Sequence, residues 1–90
     1  MVLTPTEAMR RMASMKEPTY LFRDIGDDKE DWAVFLQDGP SGERFDLRSS
    51  CLPHLDYAMK WFYDNSMPMR GVHIKVETKQ APPDKSGLAE

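Results

Sequence analysis

A single cysteine, Cys51, is all this chain holds, so neither an internal disulfide framework nor a cysteine-rich zinc site can form. No apolar run approaches the roughly 20 residues of a helical membrane span, and no basic start with an apolar stretch resembles a signal peptide. The expectation is therefore a cytoplasmic protein, neither exported nor membrane-bound. Two histidines, His54 and His73, are too few for a metal site unless Cys51 or carboxylates join them. Excess positive charge is missing as well. Twelve Lys and Arg stand against 15 Asp and Glu, a net charge of −3, which argues against binding nucleic acid by bulk charge. There is no internal repeat, and Gly39 and Gly42 flank a proline turn rather than opening a phosphate-cradling helix.

What is present is 90 residues, 40% hydrophobic and 30% charged, the balance of one small soluble domain with a modest core. A helix is expected from Thr4 to Lys16. Thr4 and Glu7 form a capping box, Pro5 suits the first helical position, and Ala8, Met9, Met12 and Met15 give an apolar face. Pro18 stops it. Thr19 to Ile25 alternates as a strand, with Tyr20 and Phe22 on one face and Leu21, Arg23 and Ile25 on the other. Asp31 to Gln37 follows, with Trp32, Val34 and Leu36 opposed to Ala33 and Phe35. Apolar residues on both faces mark a central strand or a face used by a partner. After the turn Asp38-Gly39-Pro40-Ser41-Gly42, a short strand is expected at Glu43 to Leu47 with Phe45 and Leu47 inward. A second helix is expected from Ser50 to Asn65, with Leu55, Ala58, Met59 and Phe62 as its apolar stripe. Val72, Ile74 and Val76 alternate with His73, Lys75 and Glu77 as a half-buried strand.

These elements predict an α+β two-layer sandwich in the order α-β-β-β-α-β. An antiparallel sheet of three to four strands carries two helices on one face. The domain is expected over 1–79 and a disordered C-terminal tail over 80–90, where Ala81-Pro82-Pro83 and Lys85-Ser86-Gly87 lie. A domain of this size buries only about 60% of its unfolded surface, so its stability is marginal unless it dimerises.

Four groups of residues are candidates for function. His54, Tyr57 and Trp61 fall on a sector of the second helix away from its apolar stripe. They are either a protein-contact face, since Trp and Tyr are enriched at binding hot spots, or a second buried side covered by the last strand or the tail. Asp24, Asp27, Asp28, Glu30 and Asp31 crowd one hairpin loop with a single lysine, Lys29. Their spacing does not match a calcium-binding loop; they are a solvated turn, or an acidic patch for a basic partner. Cys51 and His54 stand three apart at the expected helix start, where a thiol could be activated. With no orienting third group and no oxyanion-hole loop, a half-buried cysteine beside a surface histidine is the favoured reading. Arg10, Arg11 and Lys16, and again Arg70, Lys75 and Lys79, could converge into a weak basic patch, but scattered solvating charges are the favoured reading.

From Thr4 to Asn65 the helix–strand–strand–strand–helix order resembles the double-stranded-RNA-binding domain, and Glu17-Pro18-Thr19-Tyr20 is similar to that family's loop between first helix and first strand. The resemblance is one of topology over about two thirds of the chain. RNA binding is not carried over from it; a nucleic-acid binder on this sandwich topology is a separate alternative, resting on the charges of Arg10, Arg11, Arg70 and Lys75. That family sets lysines at the start of its second helix to straddle phosphates. The matching stretch here is Ser49-Ser50-Cys51-Leu52-Pro53-His54, with no lysine before Lys60.

The reading favoured by the sequence is a non-enzymatic protein-binding module without cofactor or metal, whose contacts are His54, Tyr57, Trp61, Asp27, Asp28, Glu30 and Asp31. Its size and acidity suit a phage or mobile-element inhibitor of a host protein complex, anti-CRISPR proteins among them, acting by steric or electrostatic blockade. A structural homodimer is the further alternative.

Overall fold

The strict two-residue alternation of Tyr20-Leu21-Phe22 and Trp32-Ala33-Val34-Phe35-Leu36 fixes one sheet face for the core. In the computed structural model, which describes residues 2–78, these segments are β1 (Pro18–Asp24) and β2 (Trp32–Asp38), paired antiparallel with Tyr20 opposite Leu36 and Phe22 opposite Val34. The remaining elements are α1 (Pro5–Met12), β3 (Arg44–Asp46), α2 (Leu55–Asp64) and β4 (His73–Glu77). The order along the sheet is β3-β2-β1-β4. Element order and the two-layer α+β arrangement are as the sequence predicts. The sheet, however, is mixed rather than purely antiparallel, because β4 runs parallel to β1. The chain leaves β3 at one edge, crosses over the sheet through α2, and enters β4 at the other edge in the direction of β1, as a helical crossover requires. The expected tail over 80–90 lies outside the described residues. Among the described residues no helix is long and apolar enough to cross a membrane.

Both helices are shorter than expected, and tertiary contacts set their ends. The capping box of α1 is formed: Glu7 N–H donates to Thr4 Oγ1 at 3.2 Å and Thr4 N–H to Glu7 Oε1 at 2.9 Å. The helix stops at Met12 instead of Lys16 because Asp38, at the end of β2, captures the N–H groups of Lys16 (3.1 Å) and Glu17 (2.8 Å) through Oδ1. The start of α2 moves from Ser50 to Leu55 for a similar reason. Leu52 is already paired with Trp32 by reciprocal backbone bonds of 2.7 and 3.0 Å, continuing the sheet beyond the short β3. Pro53 then holds Leu52 extended. His54 becomes the N-cap, without a side-chain capping bond.

One apolar cluster binds the layers. Ala8 of α1 and Ala58 and Phe62 of α2 join Tyr20, Phe22, Trp32, Val34 and Leu36, with Leu3 and Leu47 closing its edge. Both helices therefore lie on one face. Phe62 is fully buried and meets Tyr20 at 4.6 Å and Phe22 at 5.2 Å between ring centroids, edge-on to both. The Tyr20 hydroxyl donates to the carbonyl of Pro68, so the segment after α2 is tied to β1. Burial pushes that hydroxyl's pKa well above the ordinary tyrosine range.

Two expectations about the core fail. Met9, expected on the apolar face of α1, is 59% exposed. Ile74 and Val76 were expected in a half-buried strand, but they are 39% and 41% exposed. Phe62 seats α2 over β1, and α2 also packs on β2, so among the described residues the outermost strand is left without a roof. Removing the central ring should be severe: Phe62→Ala is expected to cost about 3–5 kcal/mol. Against a total stability of about 5–15 kcal/mol, a urea titration should show the midpoint falling by a large fraction of its wild-type value.

Candidate functional site

The hairpin between β1 and β2 is a built loop. Asp24, buried at the end of β1, accepts from the N–H groups of Gly26 (3.1 Å) and Asp31 (3.0 Å), and Ile25 N–H donates to the Asp31 carbonyl at 2.9 Å. Gly26 is required for packing, since a Cβ there would lie 2.1 Å from the Lys29 carbonyl oxygen. This closure leaves Asp27, Asp28 and Glu30 exposed and Asp31 half-buried.

Glu30 connects this loop to α2. Its Oε2 accepts from the indole Nε1 of buried Trp32 at 3.3 Å, and its Oε1 lies 3.2 Å from Nδ1 of His54. The His54 ring in turn meets Tyr57 edge-on at 5.3 Å. On α2, Ala58 and Phe62 face the sheet while Tyr57 is 54% exposed. Trp61 lies between these extremes, half-buried against the core. Over its outer side lies the guanidinium of Arg48, 5.2 Å from the ring centroid. Arg48 is held there by donation to the Ser50 carbonyl and hydroxyl, both at 2.9 Å. The result is a shallow groove of about 330 Å³ lined by Arg48, Leu52, Tyr57, Lys60, Trp61, Asp64 and Asn65. Lys60 and Asp64 pair across its rim at 2.8 Å.

The structure thus brings together two groups that the sequence placed apart, the acidic hairpin and the His54–Tyr57–Trp61 sector. Arg48, Leu52 and Asn65 belong to the same surface and were missed. No local pattern announces them, because they reach the groove through the Trp32–Leu52 pairing and the end of α2.

The other candidates are dispersed. Arg11 lies over the Phe45 ring of β3 at 4.8 Å, with Arg10 beside it on α1. Lys75 is on β4 at the opposite sheet edge and bonds Glu77 at 3.1 Å; Arg70 is exposed in the turn before β4. These four side chains do not share one patch, and Lys79 lies outside the described residues. His73 lies on the sheet face away from the helices, where it lines a groove with Lys75 and Glu77. Cys51 is half-buried and precedes α2 by four residues, so the helix N-terminus does not activate it. Burial, reinforced by Asp31 and Asp46 and opposed by Arg48, pushes its thiol pKa up. Among the described residues no group of three or more His, Cys, Asp or Glu is placed to hold a metal ion.

Two outcomes follow. Glu30→Ala leaves the Trp32 indole N–H unpaired and should lower stability by about 1–3 kcal/mol in urea denaturation, whereas Glu30→Gln, which keeps an acceptor, should cost less. A raised pKa means less thiolate at a given pH, so alkylation of Cys51 in the native protein should be slower at pH 8 than that of a free cysteine; an equal or faster rate would contradict the assigned environment.

Compared with protein-family models, with curated proteins and with solved structures, the chain matches none of them.

Proposed function

We propose that the chain is a small protein-binding module that catalyses no reaction and acts by covering a partner's surface. The observation that supports this reading is the continuity of the Tyr57–Trp61 groove with the acidic hairpin through Glu30 and His54. An exposed tyrosine beside a tryptophan in a partly apolar groove is the composition of a binding hot spot. Asp27, Asp28 and Glu30 at one end add negative charge, which steers a basic surface into register more than it adds affinity. The partner chemistry is therefore an apolar or planar anchor flanked by lysine or arginine. A 90-residue chain docked in this way blocks other users of the same surface. Steric or electrostatic blockade of a host protein complex, as by a phage or mobile-element inhibitor, is the mode of action proposed.

The test is capture by the tagged chain from source-cell lysate with and without nuclease, followed by affinity measurement on the captured protein. A nuclease-resistant partner is expected. Tyr57→Ala and Trp61→Ala should each weaken its binding by more than about 1 kcal/mol, roughly fivefold. Tyr57→Ala is the cleaner variant: its ring is exposed, so Tm should stay near wild type, while Trp61 also packs on the core. Capture of nuclease-sensitive material alone, or full affinity in Tyr57→Ala, would contradict the proposal.

A further inference from the structure

The strand left without a roof is also the strand at the sheet's free edge. Among the described residues β4 pairs with β1 on one side and with no strand on the other. A row of backbone donors and acceptors is therefore open beside two exposed apolar side chains, Ile74 and Val76. An exposed edge with apolar residues is a template for another strand.

We propose that this edge pairs with β4 of a second copy of the chain, antiparallel, about a two-fold axis through Val76 perpendicular to the sheet. Lys75 and Glu77, two residues apart on one face of β4, complement each other across an axis at Val76, which favours this occupant and this register. An axis in that direction keeps each sheet face on its own side. With the axis at Val76, each Lys75 stands opposite Glu77 of the second copy, and the two Val76 side chains meet on the helix side. With the axis at Lys75, Glu77 would face His73 and Ile74 would face Val76, but two lysines would stand directly opposite each other at the axis, which is destabilising. With the axis at Ile74, Glu77 would have no cation across the seam. Lys75 therefore acts as a register device: it disfavours one self-pairing and supports another. Its ammonium already lies 3.1 Å from Glu77 of its own strand, and Glu77 also lies 3.9 Å from Arg23, so the carboxylate is held on the face where the second lysine arrives.

Pairing would join two four-stranded sheets into one of eight strands with β4 at the centre. The α2 groove lies over the inner strands, away from the seam, so this inference does not rest on the protein-binding reading. In this register only residues 75–77 of the five-residue strand overlap, so little area is buried and the expected dimer is weak and concentration-dependent.

Sedimentation equilibrium of the full chain over a micromolar to millimolar range tests this. Wild type is expected to show a reversible monomer–dimer equilibrium. Val76→Lys sets two lysines at the axis and is expected to be monomeric; Lys75→Glu sets glutamates opposite glutamates and should weaken the dimer by about tenfold. Should Val76→Lys fail to fold, Val76→Cys in a Cys51→Ser background provides the second readout. Mild oxidation is expected to link two copies through position 76 faster than through Ile25→Cys, a control on the exposed hairpin, in the same background. A wild type that stays monomeric throughout, a dimer equally tight in Val76→Lys, or linkage no faster than the control would each overturn the proposal.

Discussion

Phe62 is the contact on which the rest of the molecule depends. It reaches down from α2 between Tyr20 and Phe22 and is sealed from water, with both aromatic partners edge-on. A helix turns by about 100° per residue, so fixing one ring fixes the direction of every other side chain on α2. Ala58, four residues earlier, then meets the sheet, Tyr57 points away from it, and Trp61 lies at the boundary. The same contact seats α2 over the inner strands and leaves β4 beyond its reach. The exposed groove and the exposed edge are thus two consequences of a single packing choice.

A second constraint links the core to the surface. Trp32 is buried and its indole N–H needs an acceptor. Glu30 provides one with one oxygen and meets His54 with the other. Satisfying a buried donor therefore also sets the position of a charged side chain beside the groove. On the opposite sheet face, Leu21 and Ala33 are buried although no helix among the described residues covers them. Phe35 stays only half-buried there, with the Arg44 guanidinium 5.0 Å above its ring. Long polar side chains cover part of that face in place of a second layer.

The strands were legible in the sequence because alternation is a local property. Tyr20 and Phe22, and Trp32, Val34 and Leu36, lie on the face expected of them, and the capping box of Thr4 and Glu7 formed as its spacing suggested. The stripe of Ala58 and Phe62 likewise placed the inner side of α2. Helix ends were not legible, because their causes are distant in the chain: Asp38 ends α1 from the far end of β2, and the pairing of Leu52 with Trp32 delays α2. The alternation of Ile74 and Val76 gave the correct strand but the wrong burial, since a period of two cannot say whether another layer reaches that far. The acidic hairpin and the aromatic sector were each visible, but their junction at Glu30 and His54 spans 24 residues and has no sequence signature. The direction of β4 was also hidden, being set by the path of the crossover.

The most direct measurement of the central claim, that α2 turns a contact face outward, is site-specific photocrosslinking. A benzophenone side chain would replace Tyr57, whose ring is exposed and so tolerates a larger group. Irradiation in source cells should give one discrete, nuclease-resistant adduct of the chain with a protein, absent when the probe is at Met9 on the exposed side of α1. The same adducts from both positions, or none from position 57, would contradict the account.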